Sequence, residues 1–250
     1  MFEVEVADIE PFRSLVKAIA AVVDEGCFEV DETRICLLAM DSSRVAMVDF
    51  ELPREFFDEY RCEDDLRISI MIGEFLKFLD RVDRDERVEI RLEEEKARLV
   101  IRCTRPGHTR RFEMTILEPL YEEVPRPKIL FKSSAKILTQ SLREAIKDAG
   151  LVGEHVKIEV TGEAFKMSAV GDAGSAFSEW ERDADELLEL NAEEDSDATF
   201  TLSYLRDITN AAGVSSEVVN LDLTNDMPLR MGFELPQGKL VYYLAPCIGI

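Results

Sequence analysis

The feature that most constrains this chain is an internal repeat. One amphipathic helical segment followed by three strand-like runs occurs four times, at a spacing of about 60 residues. The first copy opens at Pro11 with PFRSLVKAIAAVV, whose Phe12, Leu15, Val16, Ile19, Val22 and Val23 share one helical face. Pro11 suits a first helical turn, where its missing N–H costs nothing. CFEV, RICLLAM and RVAMVDFELP follow as strands. The second copy is GEFLKFLDRV, Gly73 to Val82, then RVEIRLEEE, ARLVIRCT and RRFEMTIL. The third is KILTQSLREAIKDAG, Lys136 to Gly150, then HVKIEVTG, AFKMSAVG and SAFSEWER. The fourth is LSYLRDITNAAG, Leu202 to Gly213, then EVVNLDLT, LRMGFELP and KLVYYLAP.

Short turns at Asp31-Glu32, Glu94-Glu95, Thr161-Gly162-Glu163 and Asn225-Asp226 make consecutive strands antiparallel hairpins. Runs of strands with a few helices define an α+β fold. Two copies per domain give two similar domains, residues 1–116 and 131–250. The segment between them, LEPLYEEVPRPKIL over 117–130, holds three prolines and three glutamates and reads as a stiff, exposed connector. Its apolar Leu117, Leu120, Tyr121 and Val124 pack back on the domains or form one wall of a partner site.

The 250 residues carry a net charge of −22, which argues against nucleic acid unless the positive charge is concentrated somewhere. The acidic start MFEVEVADIEPF is neither a secretory signal nor a transit peptide, and no run is long enough to span a membrane, so a cytoplasmic protein is expected. Cys27, Cys36, Cys62, Cys103 and Cys247 are scattered, with no CxxC, and read as buried thiols rather than metal ligands or a disulfide framework. His108 and His155 read as loop or strand-end residues. No P-loop, GxSxG or HExxH occurs, and GDAGSAF, Gly171 to Phe177, lies between two strands, as a hairpin turn does. No cofactor and no metal is expected.

The positive charge is concentrated on the helices. Arg13 and Lys17, Lys77 and Arg81 with Arg84 beyond, and Arg143 and Lys147 are spaced i, i+4 on the polar face of their helix; the fourth has Arg206 and Asn210. A solvated helix face often carries one such pair; three pairs and a half-match in four equivalent helices indicate more. Asp80, Glu144, Asp148 and Asp207 dilute the field, which suits weak, sequence-independent phosphate contact.

LLAMDSSRVAMVDFELP (Leu37 to Pro53), YRCEDDL (Tyr60 to Leu66) and the ending LVYYLAPCIGI resemble the DNA sliding clamp family of archaea and eukaryotes, whose eukaryotic member is proliferating cell nuclear antigen. The resemblance covers essentially the whole chain, and the short tail is of the archaeal type. It implies a processivity factor, not an enzyme. It implies a closed ring, usually of three subunits, with the basic helices lining a hole around duplex DNA, in an archaeal, nucleoid-associated setting. It implies partners (DNA polymerase, clamp loader, flap endonuclease and DNA ligase) that insert short peptide motifs into one apolar pocket. Carried over position by position, that pocket takes Met40, Arg44, Val45 and Met47 from the hairpin and Val124 and Pro127 from the connector. Pro228, Tyr243, Leu244, Ala245, Pro246 and Ile248 complete it. Arg126 departs from the apolar residue common in the family. The resemblance also implies that the strand HTRRFEMTI, His108 to Ile116, pairs with SAFSEWERD, Ser175 to Asp183, of the next subunit. Arg105, Arg110 and Arg111 then face Glu179, Glu181 and Asp183, charges that otherwise simply protect solvated edges. The alternatives are an acidic peptide-binding scaffold that is not a clamp, and a metal-dependent hydrolase built on Asp41 and Asp49.

Overall fold

The computed structural model describes residues 1–118 and 124–248. Leu120 and Tyr121 of the connector lie outside the described residues. The chain divides into two compact units. Unit 1 is Met1–Asp41, Val48–Pro125 and Pro236–Lys239; unit 2 is Ser42–Met47, Arg126–Leu235 and Leu240–Ile250.

In chain order the first repeat is β1 (Phe2–Val6), α1 (Ile9–Ala20), β2 (Glu25–Val30), β3 (Arg34–Met40) and β4 (Ala46–Pro53). β5 (Glu59–Cys62) leads into β6 (Leu66–Met71), α2 (Ile72–Leu79), β7 (Arg87–Glu93), β8 (Arg98–Arg105) and β9 (His108–Thr115). The third repeat is β10 (Ser133–Leu138), α3 (Thr139–Ala149), β11 (His155–Val160), β12 (Ala164–Gly171) and β13 (Gly174–Glu181). β14 (Leu187–Ala192) leads into β15 (Ser196–Thr201), α4 (Leu202–Ala212), β16 (Val218–Leu223), β17 (Leu229–Phe233) and β18 (Lys239–Leu244).

The expected fourfold helix-and-strands order is present, with a strand before each helix that the sequence does not announce. β1, β6, β10 and β15 run into their helices with few or no turn residues between, so a period of two passes into a period of 3.6 without punctuation. Lys136–Leu138, read as the start of the third helix, belongs to β10 because that strand pairs on both sides, with β14 and with β16.

Within unit 1 the strand orders are β5-β1-β7-β8-β9 and β4-β3-β2-β6; within unit 2 they are β14-β10-β16-β17-β18 and β13-β12-β11-β15. Adding nine to each strand number of unit 1 reproduces unit 2, which is the signature of one fold used twice. All four expected turns lie between consecutive strands, and the GDAGSAF segment closes the β12–β13 hairpin through Gly174 at φ +135°. His108 and His155 begin β9 and β11.

Each helix buries one stripe: Phe12, Leu15, Val16 and Ile19 in α1, Ile72, Phe75 and Leu79 in α2. Leu142, Ala145 and Ile146 do so in α3, and Leu205, Ile208 and Ala212 in α4. α1 packs on α2, and α3 on α4. Cys103 is fully buried and the other four cysteines half-buried, all as free thiols; burial pushes Cys103 up to about 11. The two units also anchor their exits alike. Leu117 donates its N–H to Ser69 O of β6 at 2.7 Å, and Cys247 donates to Thr199 O of β15 at 2.8 Å. Both acceptors precede their helix by three residues. Among the described residues no helix is long and apolar enough to cross a membrane.

Candidate functional site

The basic helix faces differ between the units. In unit 1, Arg13 departs from the expected exposed position: its side chain is only 13% exposed. Its guanidinium donates to Leu79 O at 3.0 Å and Val82 O at 2.6 Å, the carbonyls at the end of α2, and pairs with Glu10 at 2.6 Å. Leu79 O also accepts the Val82 N–H at 3.1 Å, and the cation adds a second donor there and neutralises the partial negative charge of the helix terminus. Lys17 pairs with Asp80 at 3.1 Å, Lys77 with Glu74 at 2.6 Å and Arg84 with Glu10 at 3.5 Å. Arg81 is exposed, with no ion pair among the described residues. In unit 2, Arg143 donates, among the described residues, only to the side chain of Asn210, at 3.1 Å. Lys147 is exposed and carries no ion pair among the described residues, and Arg206 pairs with Asp207 at 3.2 Å. Here the end of α4 meets α3 through Gly213. A Cβ there would lie 2.5 Å from Thr209 O and 2.8 Å from the Thr139 methyl, so only glycine permits the approach.

Both strands expected at sheet edges are outermost in their order, β9 in unit 1 and β13 in unit 2. Their charges are largely engaged within their own unit. Arg111 pairs with Glu93 at 3.1 Å and Glu113 at 2.7 Å, and Arg105 lies 3.7 Å from Asp83. Arg110 is a correction to the reading of it as an edge charge. It clasps Glu86, a carboxylate with no exposed surface, through Nε at 3.0 Å and through Nη2, and also donates to Arg81 O at 2.8 Å. Those hydrogen bonds, opposed by burial, hold the Glu86 carboxyl below its usual range. Nothing in the local sequence DRDERV marks Glu86 as the buried acid among its neighbours. On β13, Glu179 pairs with Lys166 at 2.8 Å and Glu181 is exposed, as is Asp183 two residues beyond the strand. Phe177, 62% exposed, adds an apolar group to that edge.

Of the expected pocket residues, Met40 and Val124 fall in unit 1 and the other ten in unit 2. The tip of the β3–β4 hairpin therefore belongs with unit 2. Arg44 turns it in the left-handed region at φ +57°, and Val45 O accepts the Ala245 N–H at 2.8 Å. That bond brings the hairpin tip to the segment Ala245–Ile248. Val45, Pro127, Pro228, Tyr243, Ala245 and Pro246 are half-buried, and Ile248 is 90% exposed. Met47 and Leu244 are corrections: they are 4% and 0% exposed, core side chains with no surface to offer a ligand. Leu244 points inward between half-buried Tyr243 and Ala245, as a pleated strand dictates, whereas Met47 lies where β4 is covered on both faces, from Ala46 to Phe50. Asp49, one of the two carboxylates of the hydrolase alternative, is buried and pairs with Lys239 at 2.5 Å.

Two family descriptions match the chain: "Proliferating cell nuclear antigen, N-terminal domain" over residues 1–118 and "Proliferating cell nuclear antigen, C-terminal domain" over 127–248. A DNA polymerase sliding clamp of Methanococcus vannielii is 33% identical over 241 residues, covering 95% of each chain. DNA polymerase sliding clamp 1 of Pyrobaculum aerophilum is 30% identical over 240 residues, 96% of this chain and 95% of the relative. The crystal structure of the proliferating cell nuclear antigen of Thermococcus kodakaraensis superposes with a TM-score of 0.91 over 99% of this chain and 100% of that one, at 24% identity.

Proposed function

The chain belongs to the proliferating cell nuclear antigen family, and we propose that it is a DNA sliding clamp, a ring that encircles duplex DNA and tethers the polymerase. The family is a non-catalytic processivity factor, which removes the hydrolase alternative. The observation that carries the reading is the duplicated fold: the same nine-strand, two-helix pattern occurs in both units, each with a paired set of helices bearing basic residues. Two such domains, 1–116 and 131–250, joined by a connector at 117–130, form a subunit that closes head to tail through β9 and β13. A ring holds DNA by topology, so the modest net field of the helix faces is an advantage, since tight phosphate binding would hinder sliding. The acidic remainder of the surface repels DNA from every other side.

The partner site is the hairpin tip with the C-terminal segment: Val45, Pro228, Tyr243, Ala245, Pro246 and Ile248. It receives the aliphatic and aromatic anchors of a short helical motif. Clamp loader, flap endonuclease and DNA ligase dock there as the polymerase does, on DNA inside the cell. Two measurements test the reading. The clamp, loaded by its own loader, stays on closed circular duplex DNA and is released when the circle is cut; equal retention on cut DNA contradicts encirclement. Val45→Glu abolishes polymerase stimulation at unchanged native mass, and full stimulation in that variant contradicts the pocket.

A further inference from the structure

Loop 80–86 carries two of the exposed cations of unit 1, Arg81 and the 83% exposed Arg84, and besides the approach of Arg105 from β8 to Asp83 it is held by hydrogen bonds from two directions. From α1, Arg13 binds the carbonyls of Leu79 and Val82. From the outermost strand, Arg110 binds the carbonyl of Arg81 itself and the Glu86 carboxylate. Glu86 in turn accepts the Asp83 N–H at 3.0 Å while its own N–H donates to Asp83 O at 3.1 Å, a reciprocal clasp that closes the turn. The ring of Phe112, two residues along β9, lies 5.5 Å from that of Phe78 on α2, so the strand and the helix end share an apolar contact as well. The equivalent loop of unit 2 is built otherwise: α4 ends at Gly213, and the counterpart of Arg13, Arg143, reaches a side chain instead of main-chain carbonyls.

We propose that Arg110, through its clasp on Glu86 and on the carbonyl of Arg81, is a positioning residue for DNA contact: it fixes from strand β9 where Arg81 and Arg84 present their charges to phosphate. The proposal rests on the reading that the helix faces meet DNA. It also makes β9 a mechanical link, because a strand that closes the ring and a loop that meets the duplex share one guanidinium. Arg111, on the same strand, pairs with Glu93 and Glu113 and, among the described residues, makes no bond to the loop, so it serves as the reference for loss of a β9 cation that does not hold the loop.

The test is the salt dependence of affinity for a short linear duplex, read with native mass and melting temperature on the full-length protein. The variants are Arg110→Met, Arg110→Lys, Arg111→Met, Arg81→Ala/Arg84→Ala, Arg110→Met in that double background, and Lys147→Ala. Withdrawing one cation from a DNA phosphate flattens the log–log slope by about 0.9. The expected result, compared between species of unchanged native mass, is that Arg110→Met flattens it by about 0.9 to 1.8, Arg111→Met leaves it unchanged, and Arg110→Met adds nothing in the Arg81→Ala/Arg84→Ala background. Arg110→Lys keeps the charge but not the forked geometry, so it also flattens the slope, and it replaces Arg110→Met should the latter not fold. A wild-type slope in a folded Arg110 variant overturns the proposal, as does an undiminished effect in the double background. If Lys147→Ala flattens the slope and Arg81→Ala/Arg84→Ala does not, the DNA-facing reading stands and this proposal falls. If neither does, both fall.

Discussion

Arg13 and Arg143 are each the fifth residue of the first helix in their unit, and they do different things. Arg13 is spent on structure: its donors cap the end of α2, and little of it reaches solvent. Arg143 makes one bond to Asn210, and the helix crossing it would otherwise brace is secured by Gly213. The neighbours follow suit, with Lys17 paired to Asp80 and Lys147 unpaired among the described residues. One fold used twice has thus solved the same packing problem by a guanidinium bridge in unit 1 and by close approach in unit 2. Equal numbers of basic residues on a helix face are not equal amounts of available charge.

Removing the bridge is the strongest way to break the comparison. Arg13→Ala removes the side-chain donor of Val82 O, leaving Leu79 O with the Val82 N–H and Glu10 with Arg84, and should cost about 1–3 kcal/mol, whereas Arg143→Ala should cost under about 1 kcal/mol, as an exposed pair does. Denaturant midpoints of the two variants measured side by side check this. Acid should sharpen it more gently. Glu86 has its carboxyl lowered in the folded protein from an ordinary value of 4.5. Its contribution is therefore fully present above pH 4.5 and lost as pH falls through the lower folded value. Amide exchange in 80–86 should accelerate in that window, while the loop after α4, which has no buried acid, should not respond. Glu86→Gln should abolish the pH dependence. A response of both loops alike would mean general acid unfolding.

These contrasts show what the sequence could and could not reveal. The fourfold order and the four turns were legible, because periodicity and turn chemistry are local, while the edge positions of β9 and β13 were implied by the resemblance of AMDSSRV and YYLAP to a family. The strands before each helix were not, since no breaker separates the two periods. Nor was the fate of single side chains. Arg13 and Lys17 look alike in PFRSLVKAIA, and only the end of α2, 66 residues away, decides that one is a cap. Met47 and Val45 flank one alanine at the hairpin tip, but Met47 lies in the buried start of β4 while Val45 lies in the turn before it. Arg110 reads as an edge charge until Glu86, 24 residues upstream, is found beneath it.

The smallest expected effect bears most directly on the central claim, that the first helix of unit 2 offers DNA freer charge than the first helix of unit 1. Affinity for duplex DNA should be measured against salt for Lys147→Ala and Lys17→Ala in parallel. Lys147→Ala should flatten the log–log slope by about 0.9, one full phosphate contact. Lys17→Ala, whose ammonium is already shared with Asp80, should flatten it by less than about half of that. Equal flattening, or the larger change in Lys17→Ala, would contradict the account.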